Sequence, residues 1–127
     1  MVYFFLMKTI RIIDDDKAIR NYYEALIGMF FPCNVFTADD GDTGIKIMEE
    51  HPEVDLIILD LQMKRINGWE ALPKLKEIKS DVKVIISSSY IYGNDEKKLK
   101  EMGADLTIIK PFLPADFRAV VMELLGL

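Results

Sequence analysis

A parallel α/β fold follows from two features of the sequence. Short β-branched runs alternate with stretches whose apolar residues recur three and four apart, and the short runs are apolar at nearly every position. Strands of that kind belong to a sheet covered on both faces, and their alternation with helices implies parallel pairing through right-handed crossovers. The pattern gives five strands and five helices with no internal repeat or linker.

The elements follow in order. Lys8–Ile13 is the first strand, closed by Asp14-Asp15-Asp16. Ile19, Tyr22, Tyr23, Leu26, Ile27 and Phe30 make a helical stripe that Pro32 stops. Val35-Phe36-Thr37 forms a short second strand. Asp42 is the expected cap of a helix that carries Ile45 and Met48 and ends before Pro52. Leu56-Ile57-Ile58-Leu59 is a buried third strand ending at Asp60. Gly68 marks a turn before Trp69, Leu72, Leu75 and Ile78, and Pro73 is expected to lie near the start of that helix or to kink it. Val84-Ile85-Ile86 is the fourth strand, ending in Ser87-Ser88-Ser89. Glu96–Met102 is a short helix with Gly103 as its C′ residue. Leu106–Ile109 is the fifth strand, followed by Lys110-Pro111. Pro114 suits the first turn of a last helix carrying Phe117, Val120, Val121, Leu124 and Leu125.

Length and composition narrow the function. At 127 residues the chain suits a single domain, 1–127, with one core and no room for a second module. Half of it is apolar and 29% charged, a globular rather than a disordered composition. A net charge of −5 argues against direct nucleic-acid binding. Cys33 is the only cysteine and His51 the only histidine, which excludes an internal disulfide and a Cys/His zinc site and fits a reducing cytoplasm. The apolar start, Met1–Met7, is too short to span a bilayer and lacks the basic region and cleavage site of a signal peptide. It extends the first strand, or translation starts at Met7; both readings stay open. No membrane association is expected, and no glycine-rich phosphate loop is present.

Chemistry gathers at the carboxyl ends of the strands, where sites form in open α/β sheets. The first strand ends in Asp14 and Asp15, the third in Asp60, the fourth in Ser88 and the fifth in Lys110. Taken singly, an acidic pair caps helices, a serine is a loop hydroxyl and a lysine is a solvated charge. Asp60 is stronger, because a carboxylate ending a buried strand needs a reason. As an ordered set the residues point to a functional site. Packed carboxylates call for a hard cation with oxygen ligands, Mg²⁺ or Mn²⁺. Three aspartates and one lysine sum to −2, which one Mg²⁺ neutralises, so a phosphoryl group can enter. A carboxylate is a competent phosphoryl nucleophile, and such transfer is catalysed mainly by positioning and charge stabilisation.

Ile12-Ile13-Asp14-Asp15-Asp16, Leu59-Asp60-Leu61-Gln62-Met63, Ser87-Ser88-Ser89 and Lys110-Pro111-Phe112, with Gly68 and Gly103-Ala104-Asp105, resemble the receiver domain of two-component response regulators over residues 7 to 127. The resemblance implies a flavodoxin-like, doubly wound sheet of order 2-1-3-4-5, the order of a chemotaxis receiver. It implies Asp60 as phospho-acceptor, with Mg²⁺ held by Asp15 directly, Asp14 through water, Asp60 and the backbone carbonyl of Gln62. Ser88 and Lys110 would bind the phosphoryl group, and Lys110-Pro111 would be a cis peptide. The phosphodonor would be a histidine kinase or a histidine phosphotransfer protein, and output would go to a downstream protein, through the face around the fourth helix and fifth strand if the chain stands alone. The chain departs from the family at Lys64, where proline is usual, at Thr107, where an aromatic is frequent, and at Leu113, where a capping Asp or Ser is usual.

Four functions compete. A phospho-acceptor switch leads. A Mg²⁺-dependent phosphatase would need a second acid near the nucleophile, but Gln62 stands two residues after Asp60. A phosphorylation-independent interaction module and a flavin carrier of similar topology rank lower. Cys33 reads as a small buried residue, His51 as solvent-facing, Met63 as packing, and Trp69, Tyr22 and Tyr23 as core or helix surface. Tyr90 and Tyr92 are aromatic neighbours of Ser88 and are candidates for a partner surface.

Overall fold

The apolar runs become strands β1 (Thr9–Ile13), β2 (Asn34–Ala38), β3 (Leu56–Asp60), β4 (Lys83–Ser88) and β5 (Leu106–Ile109). Between and after them lie helices α1 (Lys17–Phe30), α2 (Gly41–Glu50), α3 (Gly68–Ile78), α4 (Asp95–Glu101) and α5 (Pro114–Leu125). The structure, a computed structural model, describes residues 7–110 and 112–126. The expectations for residues 1–6 and for the Lys110-Pro111 peptide fall outside the described residues.

All strand pairs are parallel, in the order β2-β1-β3-β4-β5. Side-chain alternation splits the core in two. Ile13, Ile57, Leu59, Val84 and Ile86 pack with Met48, Leu72, Leu75 and Leu99 beneath α2, α3 and α4. Ile10, Ile12, Leu56, Ile58 and Ile85 pack with Tyr23, Leu26, Ile27, Phe117 and Val121 beneath α1 and α5. Every residue of β3 is buried, whereas β2 and β5 lie at the edges and are more open. The chain steps from β1 to one side for β2, then back past β1 to β3. The winding therefore reverses between β1 and β3, and the crevice beyond their carboxyl ends is where such sheets bind ligands.

Local boundaries differ from expectation in two places. Asp40, not Asp42, caps α2: its carboxylate accepts the Thr43 N–H at 2.7 Å, and Asp42 lies in the first turn, where its charge favours the helix dipole. Gly41 begins the helix hard against Ile66, leaving no space there for a Cβ. Helix α3 starts at Gly68, well before Pro73, because Asn67 and Glu70 form a reciprocal capping box. It continues through Pro73, held on the sheet by buried Leu72 and Leu75. Gly103 follows α4 with φ 109°, the left-handed geometry expected of it. At α5, Leu113 makes no side-chain cap bond and Pro114 opens the helix, where its missing N–H costs nothing. Cys33 is half-buried rather than buried, and His51 is exposed.

Gly68 sets the loop after β3. Its N–H bonds the Leu61 carbonyl at 2.9 Å, and a Cβ there would lie 2.5 Å from the Asp60 carbonyl oxygen and 2.8 Å from the Leu61 Cα. Backbone cannot give way cheaply, so Gly68→Ala is expected to cost about 1–3 kcal/mol by urea unfolding. An unchanged midpoint would mean that α3 is not wedged against the Asp60 loop.

Candidate functional site

Asp14 follows β1 and Asp60 ends β3, both buried, with 1% and 3% of their surface exposed. Asp15 is exposed above them. One carboxylate oxygen from each of the three lies within 4.8 Å of the others. Lys110, after β5, closes the cluster from the far side: its Nζ is 2.8 Å from Asp14 Oδ2 and 3.3 Å from Asp60 Oδ1. The Lys110 backbone N–H bonds the Ser88 carbonyl at 2.9 Å, which ties the arm carrying this lysine to the end of β4.

Electrostatics follow from this crowding. Burial, then the charge of Asp14, pushes the Asp60 carboxyl up to about 6, against the opposing pull of Lys110 and the Gln62 N–H. Burial alone would lower the Lys110 ammonium, but its hydrogen bond to Asp14 and the charge of Asp60 outweigh that and raise it. The site is thus acidic beyond what one lysine balances. Three convergent carboxylates with oxygen donors only are a fitting ligand set for Mg²⁺.

The remaining residues hold the site in shape. The Asp16 N–H donates to Asp14 Oδ1 at 2.9 Å, and Asp16 itself caps α1. Arg20 reaches back from α1 to the Asp14 carbonyl at 2.8 Å. The Gln62 N–H donates to Asp60 Oδ1 at 3.2 Å. The Ser88 hydroxyl is buried, and its one hydrogen faces two acceptors, the Tyr90 carbonyl at 3.0 Å and Gln62 Oε1 at 3.2 Å. It makes no bond to Asp60. Thr107, in the position where an aromatic is frequent, is half-buried in β5. Beside the site, Asp15, Gln62, Lys64, Tyr90 and Tyr92 help to line an open cleft of about 530 Å³. The two tyrosines are exposed and stacked, with centroids 5.7 Å apart.

The structure therefore brings Asp14, Asp15, Asp60 and Lys110 together, and sets Ser88 and Gln62 beside them but bonded to each other. Two contacts were missed by the sequence reading. Arg20 falls one turn into α1, a position whose reach back to Asp14 the Asp-rich turn could have suggested. The Tyr23 hydroxyl is hydrogen-bonded to Ser87, 64 residues away, and nothing local signals that pairing.

Comparison with known proteins agrees with this geometry. Residues 10–122 match the family model described as the response regulator receiver domain. The chain is 32% identical over 119 residues to "Probable transcriptional regulator ycf27" of Cyanophora paradoxa, covering 93% of this chain and 48% of that protein. It is 34% identical over 109 residues to the nitrate/nitrite response regulator protein NarL of Escherichia coli, covering 85% of this chain and 50% of that protein. It thus spans about half the length of the curated relatives it matches. Among solved structures, a CheY-like response regulator receiver domain protein of Methanospirillum hungatei superposes with a TM-score of 0.87 at 26% identity, covering 94% of each chain. No helix among the described residues is long and apolar enough to cross a membrane.

Proposed function

The chain belongs to the response regulator receiver domain family, and on that premise we propose that Asp60 is its phospho-acceptor. The observation that carries this is a buried carboxylate at the switch point of the sheet, crowded by Asp14 and Asp15 and bridged by Lys110. A carboxylate that ends a buried strand at such cost is held there for its reactivity.

Asp14, Asp15, Asp60 and the Gln62 backbone carbonyl would hold Mg²⁺. When bound, that cation supplies charge neutralisation for the incoming phosphoryl group and for the three carboxylates. An Asp60 oxygen forms the new P–O bond while the bond from phosphorus to the donor's imidazole nitrogen breaks. Lys110, already poised between Asp14 and Asp60, pairs with a phosphoryl oxygen. Ser88 binds another, for which its hydroxyl must leave Tyr90 and Gln62. That exchange of partners gives the phosphorylated state contacts that the free state lacks, which is what shifts a two-state equilibrium.

In this reading residues 1–127 form one receiver domain in the cytoplasm. It takes phosphoryl groups from a histidine kinase or histidine phosphotransfer protein and signals to a downstream protein. It is a switch rather than an enzyme, promoting only its own phosphorylation and dephosphorylation. Gln62 bears on this point, since it offers no second acid beside Asp60.

Calorimetric titration with Mg²⁺, then with beryllofluoride in its presence, tests the ligand set. The expected result is beryllofluoride binding that requires Mg²⁺ and is lost in Asp15→Asn. Equal binding in chelator, or no effect of that substitution, would overturn it.

A further inference from the structure

Beneath the acidic cluster lies a buried hydroxyl pair that the proposed chemistry does not use. Tyr23 on α1 and Ser87 on β4 are 1% and 0% exposed, and their hydroxyls are hydrogen-bonded to each other. Ser87 is the register partner of Asp60 on the neighbouring strand. Both point to the α1 and α5 side, because Ile58 and Ile85, the partners two residues earlier, pack there. Neighbouring strands are about 4.8 Å apart, so a serine hydroxyl turned towards β3 comes within bonding range of the Asp60 carboxylate. It is not turned that way. Asp60 Oδ1 is taken by the Gln62 N–H and Lys110, and no donor among the described residues bonds Oδ2.

We infer that Tyr23 is a positioning residue for Asp60: by bonding the Ser87 hydroxyl it keeps that donor off the acceptor carboxylate. A hydrogen bond to a carboxylate oxygen holds down the lone pair that must attack phosphorus. The geometry around Tyr23 is fixed enough for the task. Its ring stacks on Phe117 with centroids 5.7 Å apart and meets Phe112 edge-on, and the neighbouring Tyr22 hydroxyl donates to the Phe112 carbonyl at 2.8 Å. Burial raises the Tyr23 hydroxyl above its ordinary value, against the Ser87 hydrogen bond and the charge of Lys110, so it stays protonated at working pH. Tyr23→Phe keeps the ring and removes only the oxygen. Whichever hydroxyl donates in the parent, Ser87 then loses its partner, and a strong acceptor for its hydrogen on that face is Asp60.

This inference rests on the acceptor reading of Asp60, and the test separates the two. Phosphoryl uptake from acetyl phosphate with Mg²⁺ is timed for the parent, Tyr23→Phe, Ser87→Ala and the double variant, with thermal unfolding of each. Tyr23→Phe is expected to slow uptake roughly tenfold, the scale of one hydrogen bond to a charged group. Ser87→Ala, which removes the hydroxyl at the register partner of Asp60, is expected to keep the parental rate although Tyr23 loses its partner. The double variant is expected to regain the parental rate, an outcome that loss of structure alone does not give. Equal slowing in both single variants, or a double variant as slow as Tyr23→Phe, would reduce the pair to packing and overturn the inference. A labelled parent matched by Tyr23→Phe would overturn the inference alone. An unlabelled parent would overturn the acceptor reading, and the inference with it.

Discussion

Lys110→Met is expected to destabilise the metal-free protein by about 3 kcal/mol near pH 7.5, because it strands buried carboxylates without their cation. The lysine side chain is 12% exposed and touches both Asp14 and Asp60, so water replaces little of what it provides. The deficit has a characteristic pH dependence. Asp60 takes up a proton near pH 6, and once neutral it no longer needs a counter-charge, so the variant should recover part of its loss at pH 5. The parent has the complementary signature at the other end. A lysine raised in the fold contributes stability that is fully present below its unfolded value and is lost as pH rises through the folded one. Urea unfolding at pH 5 and pH 7.5 measures the first, and an alkaline series carried above pH 10.5 measures the second. Equal stability of parent and variant at pH 7.5 would show that Lys110 does not balance the cluster.

Asp60→Asn should do the opposite and stabilise the metal-free protein. With its carboxyl raised from 3.8 to about 6, Asp60 contributes stability that is full below the unfolded value and lost as pH rises through about 6. Above that, the folded protein carries the penalty of a buried, crowded charge, up to about 3 kcal/mol for a shift of this size. Asparagine keeps the shape and removes the charge. The gain should be visible in chelator at pH 7.5, vanish towards pH 4, and shrink or reverse in saturating Mg²⁺, which stabilises only the protein that binds it. A loss of stability in chelator at pH 7.5 would contradict the crowded-charge account. Stability given up at a reactive group is a familiar cost of function.

The sequence revealed those parts of the molecule that rest on repeating patterns. The apolar runs of β1, β3 and β4 are legible because both faces of those strands are buried. Asp14 and Asp60 are legible for the same reason, since one follows and the other ends such a run, while Lys110 follows the short apolar run of the edge strand β5. Choices made by tertiary contact were less visible. Asp40 rather than Asp42 caps α2 where Gly41 must pass Ile66, and a capping box rather than Pro73 sets the start of α3. Tyr23 reads as one residue of a helical stripe, and its ring does pack in the core, but its hydroxyl finds Ser87 only through the fold. Ser88 stands where expected, yet its hydrogen bonds go to Gln62 and Tyr90. Hydroxyl rotamers depend on local partners that no periodicity encodes.

The central claim is that Asp60 accepts a phosphoryl group, and intact mass tests it most directly. Purified protein is incubated with Mg²⁺ and acetyl phosphate beside Asp60→Asn and a chelated sample. One phosphoryl adduct on the parent, absent from both controls, is the predicted result. A folded parent that gains no mass, or an Asp60→Asn variant labelled as fully as the parent, would contradict the account.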